Sequence, residues 1–516
     1  MSTFGVTEMG VGKGKELGVQ WFLLTLVSFL LIVHLSQKKK QKDGGDGMAR
    51  KRIPGPGQYV LGGYANIFAL RNTKTSVNVL QQWGAKYGPI FEVQFGPFPV
   101  TFLNSPQHLQ KLLGSNDTNY LSKGFAYEPL RPFWQDGLIV SSGEKWRSRR
   151  KLLTKHMFKY NSVLSFMKIF NRESDLLLST LEIFYQDGKV KPLEHKIMTF
   201  SLNVITEAAV GLSADEVDRM ARKEFQVSLI ELVEKAKELM CKRILNPLLL
   251  FEPIWRLHPL SKLADVVTSA GRMVLSETFR KVENGKPEEK RGMQHVLHQA
   301  GVDFDGIFEE EITMISAGYE TTASSIHFLL FFLALHPRHQ ELCREEIDAV
   351  FEDGDFCNAQ THLYYHALGQ LKHLEMCVLE ALRLFPSAFL LMRKIDAELQ
   401  LEEDLILPAN TNVAIFIPGI HKNPNIYPNP EEFIPERFSL KESKDTHNYA
   451  YIPFSAGLRK CIGYKFAMME IMTATAKIIR HFYISTTSKM EDVILLPHIT
   501  LTLEKPMQFL LTKRKL

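Results

Sequence analysis

Three hydrophobic patterns succeed one another along this chain. The first is an unbroken apolar run, Leu17 to Leu35 (LGVQWFLLTLVSFLLIVHL), 19 residues without an acidic or fixed basic charge. As a helix it spans about 28 Å, close to the hydrocarbon thickness of a bilayer. Lys38, Lys39, Lys40 and Lys42 follow it directly, then Arg50, Lys51 and Arg52. The positive-inside rule puts that flank, and all of the downstream chain, in the cytosol. A cleaved signal peptide fits poorly, because the run is long, the bases follow it and no small-residue cleavage site is evident. Ile53-Pro-Gly-Pro-Gly57 then reads as a stiff hinge, with prolines restricting the backbone and glycines relieving the turns. Residues 1–52 are therefore expected to be a membrane anchor with its basic stop-transfer segment, and 53–516 a separate body.

The second pattern has a period near two. Pro89–Phe95 and Phe98–Leu103 predict a hairpin around Gly96-Pro97, and Leu399–Leu405, Asn412–Ile417 and Val493–Leu511 read as further strands, the last as a closing hairpin. The third has a period near 3.6 and dominates from about Ser105 to Pro386. Asp303–Leu335 is the longest helical candidate, and Gln370–Phe385 is a helix stopped by Pro386. A shorter helix is predicted around Ser76–Tyr87. Another follows Cys461, through Ile462, Phe466, Met469, Thr473, Ala476, Ile479 and Tyr483. No internal repeat and no long Ser/Gly linker divides the chain after Gly57, so the prediction is mainly α with small β regions (α+β), in one large helical body.

Composition changes this picture little. Sixty-two Lys plus Arg against 57 Asp plus Glu leave +5, too mild to argue for nucleic acid. The cysteines (Cys241, Cys343, Cys357, Cys377, Cys461) are odd in number and lack metal or disulfide spacing, which suits a reducing compartment.

Chemistry concentrates in four places. Phe454, Gly457, Arg459, Cys461 and Gly463 form F-x-x-G-x-R-x-C-x-G just before a predicted helix. A cysteine at such a junction meets the helix dipole and nearby Arg459 and Lys460, which favour thiolate over thiol. With no CxxC or histidine partner beside it, that thiolate suits one axial position on an iron better than a zinc cage. Gly143–Lys155 is a basic helix in which Trp146 and Arg150 stand four apart, on one face. An indole N–H and a guanidinium are donors that can hold a carboxylate; alone, the stretch reads more readily as a solvated basic face, and the cysteine loop reverses that preference. Inside the long helix, Ser316-Ala-Gly-Tyr-Glu-Thr-Thr-Ala323 breaks local helix preference, which marks either a functional site or a close helix crossing. E-x-x-R occurs seven times and is uninformative by itself; the copy at Glu380-x-x-Arg383 gains weight from Pro435-Glu-Arg-Phe438 downstream, and the other six read as surface pairs or coincidence.

These residues resemble the cytochrome P-450 superfamily. Residues 50–516 carry the resemblance, and Asn448–Gly457, Cys461–Ala467 and Arg383–Ser387 are most similar to the fourth family of animal P-450s, which holds fatty-acid ω-hydroxylases and arthropod hormone- and xenobiotic-oxidising members. The resemblance implies a P-450 fold and a haem whose proximal ligand is Cys461, with Phe454, Gly457 and Arg459 shaping its loop. It implies propionate contacts from Trp146, Arg150 and Arg393, and a structural ion network of Glu380, Arg383 and Arg437. Thr321 is then the hydroxyl that assists oxygen activation and Glu320 the proton relay. Phe125–Val140, Leu245–Leu257, Ser387–Met392 and the tip at Pro497–Thr500 are expected to line or gate a substrate chamber.

Three departures matter. Ala317 stands where many members carry a glutamate that esterifies a haem methyl, so the cofactor is expected to be unlinked haem b. Tyr319-Glu320 replaces the frequent His-Asp, and Leu458 and Lys460 replace Pro and Asn. The implied reaction is insertion of one oxygen atom into a lipophilic substrate. Electrons come from an NADPH-dependent flavoprotein reductase, with cytochrome b5 as a further partner, at the endoplasmic reticulum membrane. Arg147, Arg149, Lys151 and Lys155 are candidates to meet an acidic redox partner. No Gly-rich dinucleotide fingerprint follows a strand, which argues against a fused reductase. The rivals are a reductase-independent haem-thiolate isomerase or dehydratase of lipid peroxides, which Glu320-Thr321 disfavours, and a non-enzymatic ligand-sequestering haem protein.

Overall fold

The computed structural model describes residues 52–515, except 58–59, 96–97, 247, 286–291, 352–360 and 443–445. The expected anchor at Leu17–Leu35, its basic flank up to Lys51, and the Gly96-Pro97 turn lie outside the described residues. Among the described residues no single helix is long and apolar enough to cross a membrane.

The fold is mainly helical, with small sheets at its margin. At its centre runs a helix of 32 residues, Phe304–Leu335, about 48 Å long. Asp303 caps it by accepting the Gly306 N–H at 3.0 Å, and His336-Pro337 ends it. Beyond Ala323 it is buried on nearly every face (Ile326, Phe328 to Leu333), as befits the axis of a helical core. It crosses the helix Glu194–Val210 closely: a Cβ at Gly318 would stand 2.6 Å from Ile205 Cγ1. Gly318 thus has a packing reason, and the small-residue crossing is part of what the unusual sequence encodes.

Around this axis lie the basic helix Gly143–His156, the helix Leu229–Ile244, the paired helices Pro337–Val350 and Lys372–Leu384, and the helix Tyr464–His481. The main sheet has the order Ile90–Phe95, Phe98–Leu103, Asn412–Phe416, Leu390–Lys394. Its first two strands pair antiparallel from Ile90 opposite Leu103 to Phe95 opposite Phe98, the register of the expected hairpin. Phe98–Leu103 and Asn412–Phe416 run parallel, so this sheet joins the N-terminal region to the stretch just ahead of the cysteine loop.

Several boundaries differ from the sequence prediction. Leu399–Leu405 is two strands, Leu399–Glu402 and Leu405–Leu407, because Glu403-Asp404 forms a turn. The last helix stops at His481 and Phe482–Thr486 leaves as a strand, its β-branched and aromatic residues pairing with Gln508–Lys513. The tail is therefore two pairings, that one and the small hairpin Leu495–Pro497 with Leu501–Leu503. A helix at Val60–Arg71 was not anticipated, since its two glycines and lack of periodicity hide it.

Candidate active site

The loop before the last helix is shaped by two residues in the left-handed region, Ser455 (φ 60°) and Gly457 (φ 68°). At Gly457 any side chain is excluded, because a Cβ would stand 1.7 Å from the Leu113 carbonyl oxygen. Cys461 N–H donates to the Phe454 carbonyl at 2.8 Å, closing the loop on itself. Arg459 ties the loop to the body: its Nη2 donates to Ser141 O at 2.7 Å and its Nε to Leu121 O at 3.1 Å, and its guanidinium lies 4.1 Å from the Trp146 ring centroid. Arg150 reaches over from the basic helix to the Lys460 carbonyl at 2.6 Å.

One cavity gathers most of the singled-out residues. Its walls include Trp146, Arg150, Ala317, Thr321, Arg393, Phe454, Arg459 and Cys461, drawn from positions more than 300 residues apart in sequence. The exposure of Cys461 is exposure to this cavity, within a shell of protein. Burial pushes its thiol above the ordinary range. The backbone N–H groups of Gly463 and Tyr464, together with Arg150 and Lys460, act in the opposite direction. The dipole and charge effects expected at this junction are therefore present, with burial acting against them. Arg459 drops out of that account, being spent on backbone carbonyls; a bound metal cation would be what deprotonates the sulfur.

Five cations line this cavity, Lys123, Arg150, Arg393, Arg459 and Lys460, and no carboxylate is among its lining residues. Lys123 is pulled well below the ordinary lysine range by burial, then by Arg393, Arg459 and Arg150. Burial, then Arg393 and Arg150, draw Arg459 down to about 9 against the opposing effect of Tyr127, and burial also lowers Arg393, which is 2% exposed. Arg393 and Arg459 are buried, Lys123 and Arg150 partly so and Lys460 exposed, and buried cations with no carboxylate beside them are strongly unfavourable. Such a cluster beside a mostly apolar cavity fits a flat apolar group bearing carboxylates at one edge. The donor set therefore suits a haem, with Cys461 as the metal ligand and the cations for its propionates. Lys123 is the member that sequence reading missed, because it sits in a loop with no periodicity to mark it.

Thr321 faces the same cavity. Its Oγ1 donates to Ala317 O at 2.7 Å, so the helix stays unbroken here, and its carbonyl accepts from Ser325 Oγ at 2.7 Å and Ser387 Oγ at 2.9 Å. Ser387 went unnoticed as a partner for want of any motif. Glu320 points elsewhere. Its carboxylate pairs with Lys237 Nζ at 2.9 Å and lines a second cavity of about 900 Å3 together with Glu194, Glu234 and His498. Successive helix residues diverge by about 100°, so Glu320 and Thr321 cannot share one face, and the relay inferred for Glu320 finds no support in its placement. The tip residue His498 and Leu245 also border the second cavity, whereas Tyr127, Leu138, Ser387 and Leu391 border the first.

Beneath the cysteine loop, Glu380 and Arg383 are fully buried and bidentate, Nε to Oε2 at 2.7 Å and Nη2 to Oε1 at 2.9 Å. The guanidinium also donates to His421 O, Pro430 O and Glu432 O. Glu380 accepts the Ile434 N–H at 2.9 Å and lies 3.4 Å from Arg437 Nε. The helix carrying Glu380 is thereby bound to the proline-rich meander that leads into the cysteine loop. Of the other E-x-x-R copies, Glu128, Glu144 and Glu277 do make surface pairs. Arg344 does not conform, for its side chain is only 3% exposed and also bonds Gln340.

A cavity holding one loop cysteine, a carboxylate-free cation cluster and a threonine on a central helix defines a haem-thiolate protein. The comparisons agree. The cytochrome P450 family model matches residues 54–511. The chain is 33% identical over 431 residues to the probable cytochrome P450 4p3 of Drosophila melanogaster (78% of this chain, 79% of that protein). It is 34% identical over 419 residues to cytochrome P450 4p1 of the same fly (77% and 79%), and 28% identical over 511 residues to cytochrome P450 4c21 of Blattella germanica (95% and 98%). The chain belongs to the cytochrome P450 family, in its fourth-family branch of arthropod type, and is a P450 monooxygenase. Members of this family hold haem through a cysteine thiolate, take electrons from a redox partner and act on lipophilic substrates.

Proposed function

We propose that the chain is a membrane-anchored monooxygenase, with 1–52 as anchor and 53–516 as catalytic body on the cytosolic side of the endoplasmic reticulum. It uses NADPH through a flavoprotein reductase, with cytochrome b5 as a further partner, to insert one oxygen atom into a fatty acid, terpenoid hormone or xenobiotic. The single observation that carries this reading is the cavity in which the Cys461 sulfur, the Thr321 helix face and five cations with no carboxylate come together.

When bound, haem supplies oxygen activation, with a thiolate ligand favouring O–O cleavage. The protein's own residues do the rest. Cys461 would be the metal ligand, held in place by the Phe454 carbonyl and the side-chain-free turn at Gly457. Trp146, Arg150 and Arg393, joined by Lys123, would hold the propionates through charge-assisted hydrogen bonds, while Arg459 ties the cysteine loop to the body. Ala317 offers no carboxylate for an ester link, which leaves haem b unlinked and more room beside the ring. That smaller side chain supports tolerance for bulkier lipophilic substrates than a strict terminal hydroxylase accepts. Thr321 offers a hydroxyl on the cavity face of its helix. Glu320, paired with Lys237 in the second cavity, reaches that hydroxyl only by leaving Lys237, and its role as proton relay rests on such a rotation. Glu380, Arg383 and Arg437 brace the loop without touching the reacting atoms.

Reconstitution of the full chain with a reductase tests this reading. Substrate-dependent NADPH consumption with an oxygenated product, scored by mass spectrometry over fatty acids, terpenoids and xenobiotics, is the expected result. In Cys461→Ser the reduced carbon monoxide band typical of thiolate ligation disappears together with turnover. Turnover surviving in that variant, or lipid-peroxide rearrangement without reductase, would overturn the proposal.

A further inference from the structure

Outside the cavities, the helices Pro337–Val350 and Lys372–Leu384 bring four metal-binding side chains together. Each helix contributes an imidazole and a thiol four residues apart, hence on one face: His339 with Cys343, and His373 with Cys377. His339 Nδ1 lies 3.2 Å from His373 Nε2, and Cys343 Sγ lies 3.8 Å from Cys377 Sγ. The ligand atoms of His339, His373 and Cys377 are all within 4.8 Å of one another. A tetrahedral zinc with bonds of about 2.0–2.1 Å to nitrogen and about 2.3 Å to sulfur needs an N–N edge of about 3.3 Å and an S–S edge of about 3.8 Å. Both observed pair distances sit at those edges, whereas Cys343 Sγ stands outside the 4.8 Å grouping of the other three and has to turn toward the histidines to complete the tetrahedron.

We propose that His339, His373 and Cys377, with Cys343 as the fourth ligand, form a structural zinc site that clips these two helices together. The donor set of two thiols and two imidazoles is the borderline-soft kind that selects zinc over magnesium or calcium. Both sulfurs are fully buried, while the histidines are half-buried and give an ion a way in. Binding removes one proton from each thiol and releases both to solvent. The surroundings are ordered for it: Glu346 accepts the backbone N–H groups of His373 and Leu374 at 2.9 to 3.1 Å, fixing the start of the second helix. Glu436 stands 3.9 Å from His339 Nδ1. Cys377 is one turn ahead of Glu380, and Glu436 is beside Arg437, so the clip stiffens the same helix and meander that the buried ion network holds.

The test uses the haem-loaded full chain, incubated with zinc sulfate, desalted and analysed for metals with iron as internal standard. Wild type is expected to retain about one zinc per haem, the stoichiometry of one such site. His339→Gln and His373→Gln lose it while keeping their haem spectrum, and Cys241→Ser, a cysteine outside the cluster, retains it. X-ray absorption at the zinc edge of the wild type needs no variant and is expected to give a shell of two sulfurs and two nitrogens. A wild type that retains no zinc, a sulfur-free shell, or glutamine variants that hold as much zinc as wild type would each overturn the site, leaving only a histidine–histidine hydrogen bond beside two thiols.

Discussion

Glu380→Gln isolates the network under the cysteine loop. The substitution keeps the side chain's shape but removes the charge that neutralises Arg383 and Arg437, and it turns an amide N–H2 toward one of their donors. In the native protein Glu380 accepts two bonds from Arg383 and one from Ile434 N–H, all in a fully buried setting. Removing one partner of a buried pair is destabilising by about 3–5 kcal/mol, because the other charge is left uncompensated. Against a total of about 5–15 kcal/mol for a folded protein, that is a large share, and it lowers the folded-to-unfolded ratio by about two to three and a half powers of ten. Urea unfolding followed by the reduced carbon monoxide band reads both the loop and the body. The expected result is loss of the band at markedly lower urea, with Arg383→Lys intermediate, since lysine cannot serve Glu380 bidentately and also reach the His421, Pro430 and Glu432 carbonyls. A Glu380→Gln midpoint equal to wild type would refute the claim that this network braces the loop.

Gly457→Ala forces a left-handed alanine, unfavourable by about 1–2 kcal/mol, and adds a methyl 1.7 Å from a backbone oxygen that cannot rotate away; haem content on purification is expected to collapse, while Gly271→Ala, where nothing lies within 4 Å, behaves as wild type. Lys123→Met removes one of the five cavity cations; a charge-assisted hydrogen bond is worth about 1.5–3 kcal/mol, so haem transfer to excess apomyoglobin is expected to quicken about tenfold to a hundredfold. Glu470 gives a pH signature. Burial raises its carboxyl to about 8, with Ser201 donating to it at 2.7 Å. Its folded form therefore keeps a proton that the unfolded chain releases near the ordinary value of 4.5, so it favours folding in acid and opposes it increasingly as pH climbs from there toward 8. Glu470→Gln is expected to raise the thermal midpoint at pH 8 and leave it nearly unchanged at pH 4.5, as differential scanning would show; equal shifts at both pH values would refute the burial argument.

Local physics made much of this protein legible from its residues. The long helix follows from apolar periodicity between Asp303 and Pro337, and the paired strands Ile90–Phe95 and Phe98–Leu103 from alternation on either side of Gly96-Pro97. The cysteine loop was visible because a left-handed glycine and a ligand at fixed offsets are local requirements, met or unmet within ten residues. E-x-x-R illustrates the opposite case: seven copies share one spacing, and burial sets Glu380 apart, because whether a charge is exposed is not a local property. What tertiary packing alone decided shares that cause. Lys123, Arg150, Arg393 and Arg459 become one cluster only when separate elements close on a cavity. Glu320 and Thr321, neighbours in sequence, face different cavities because the helix turns about 100° between them. Cysteines that carry no metal spacing along the chain stand 3.8 Å apart across two packed helices, each beside its own histidine. Interactions that fall off within a few ångströms are blind to sequence distance, so a linear reading finds them only when the chain happens to keep them together.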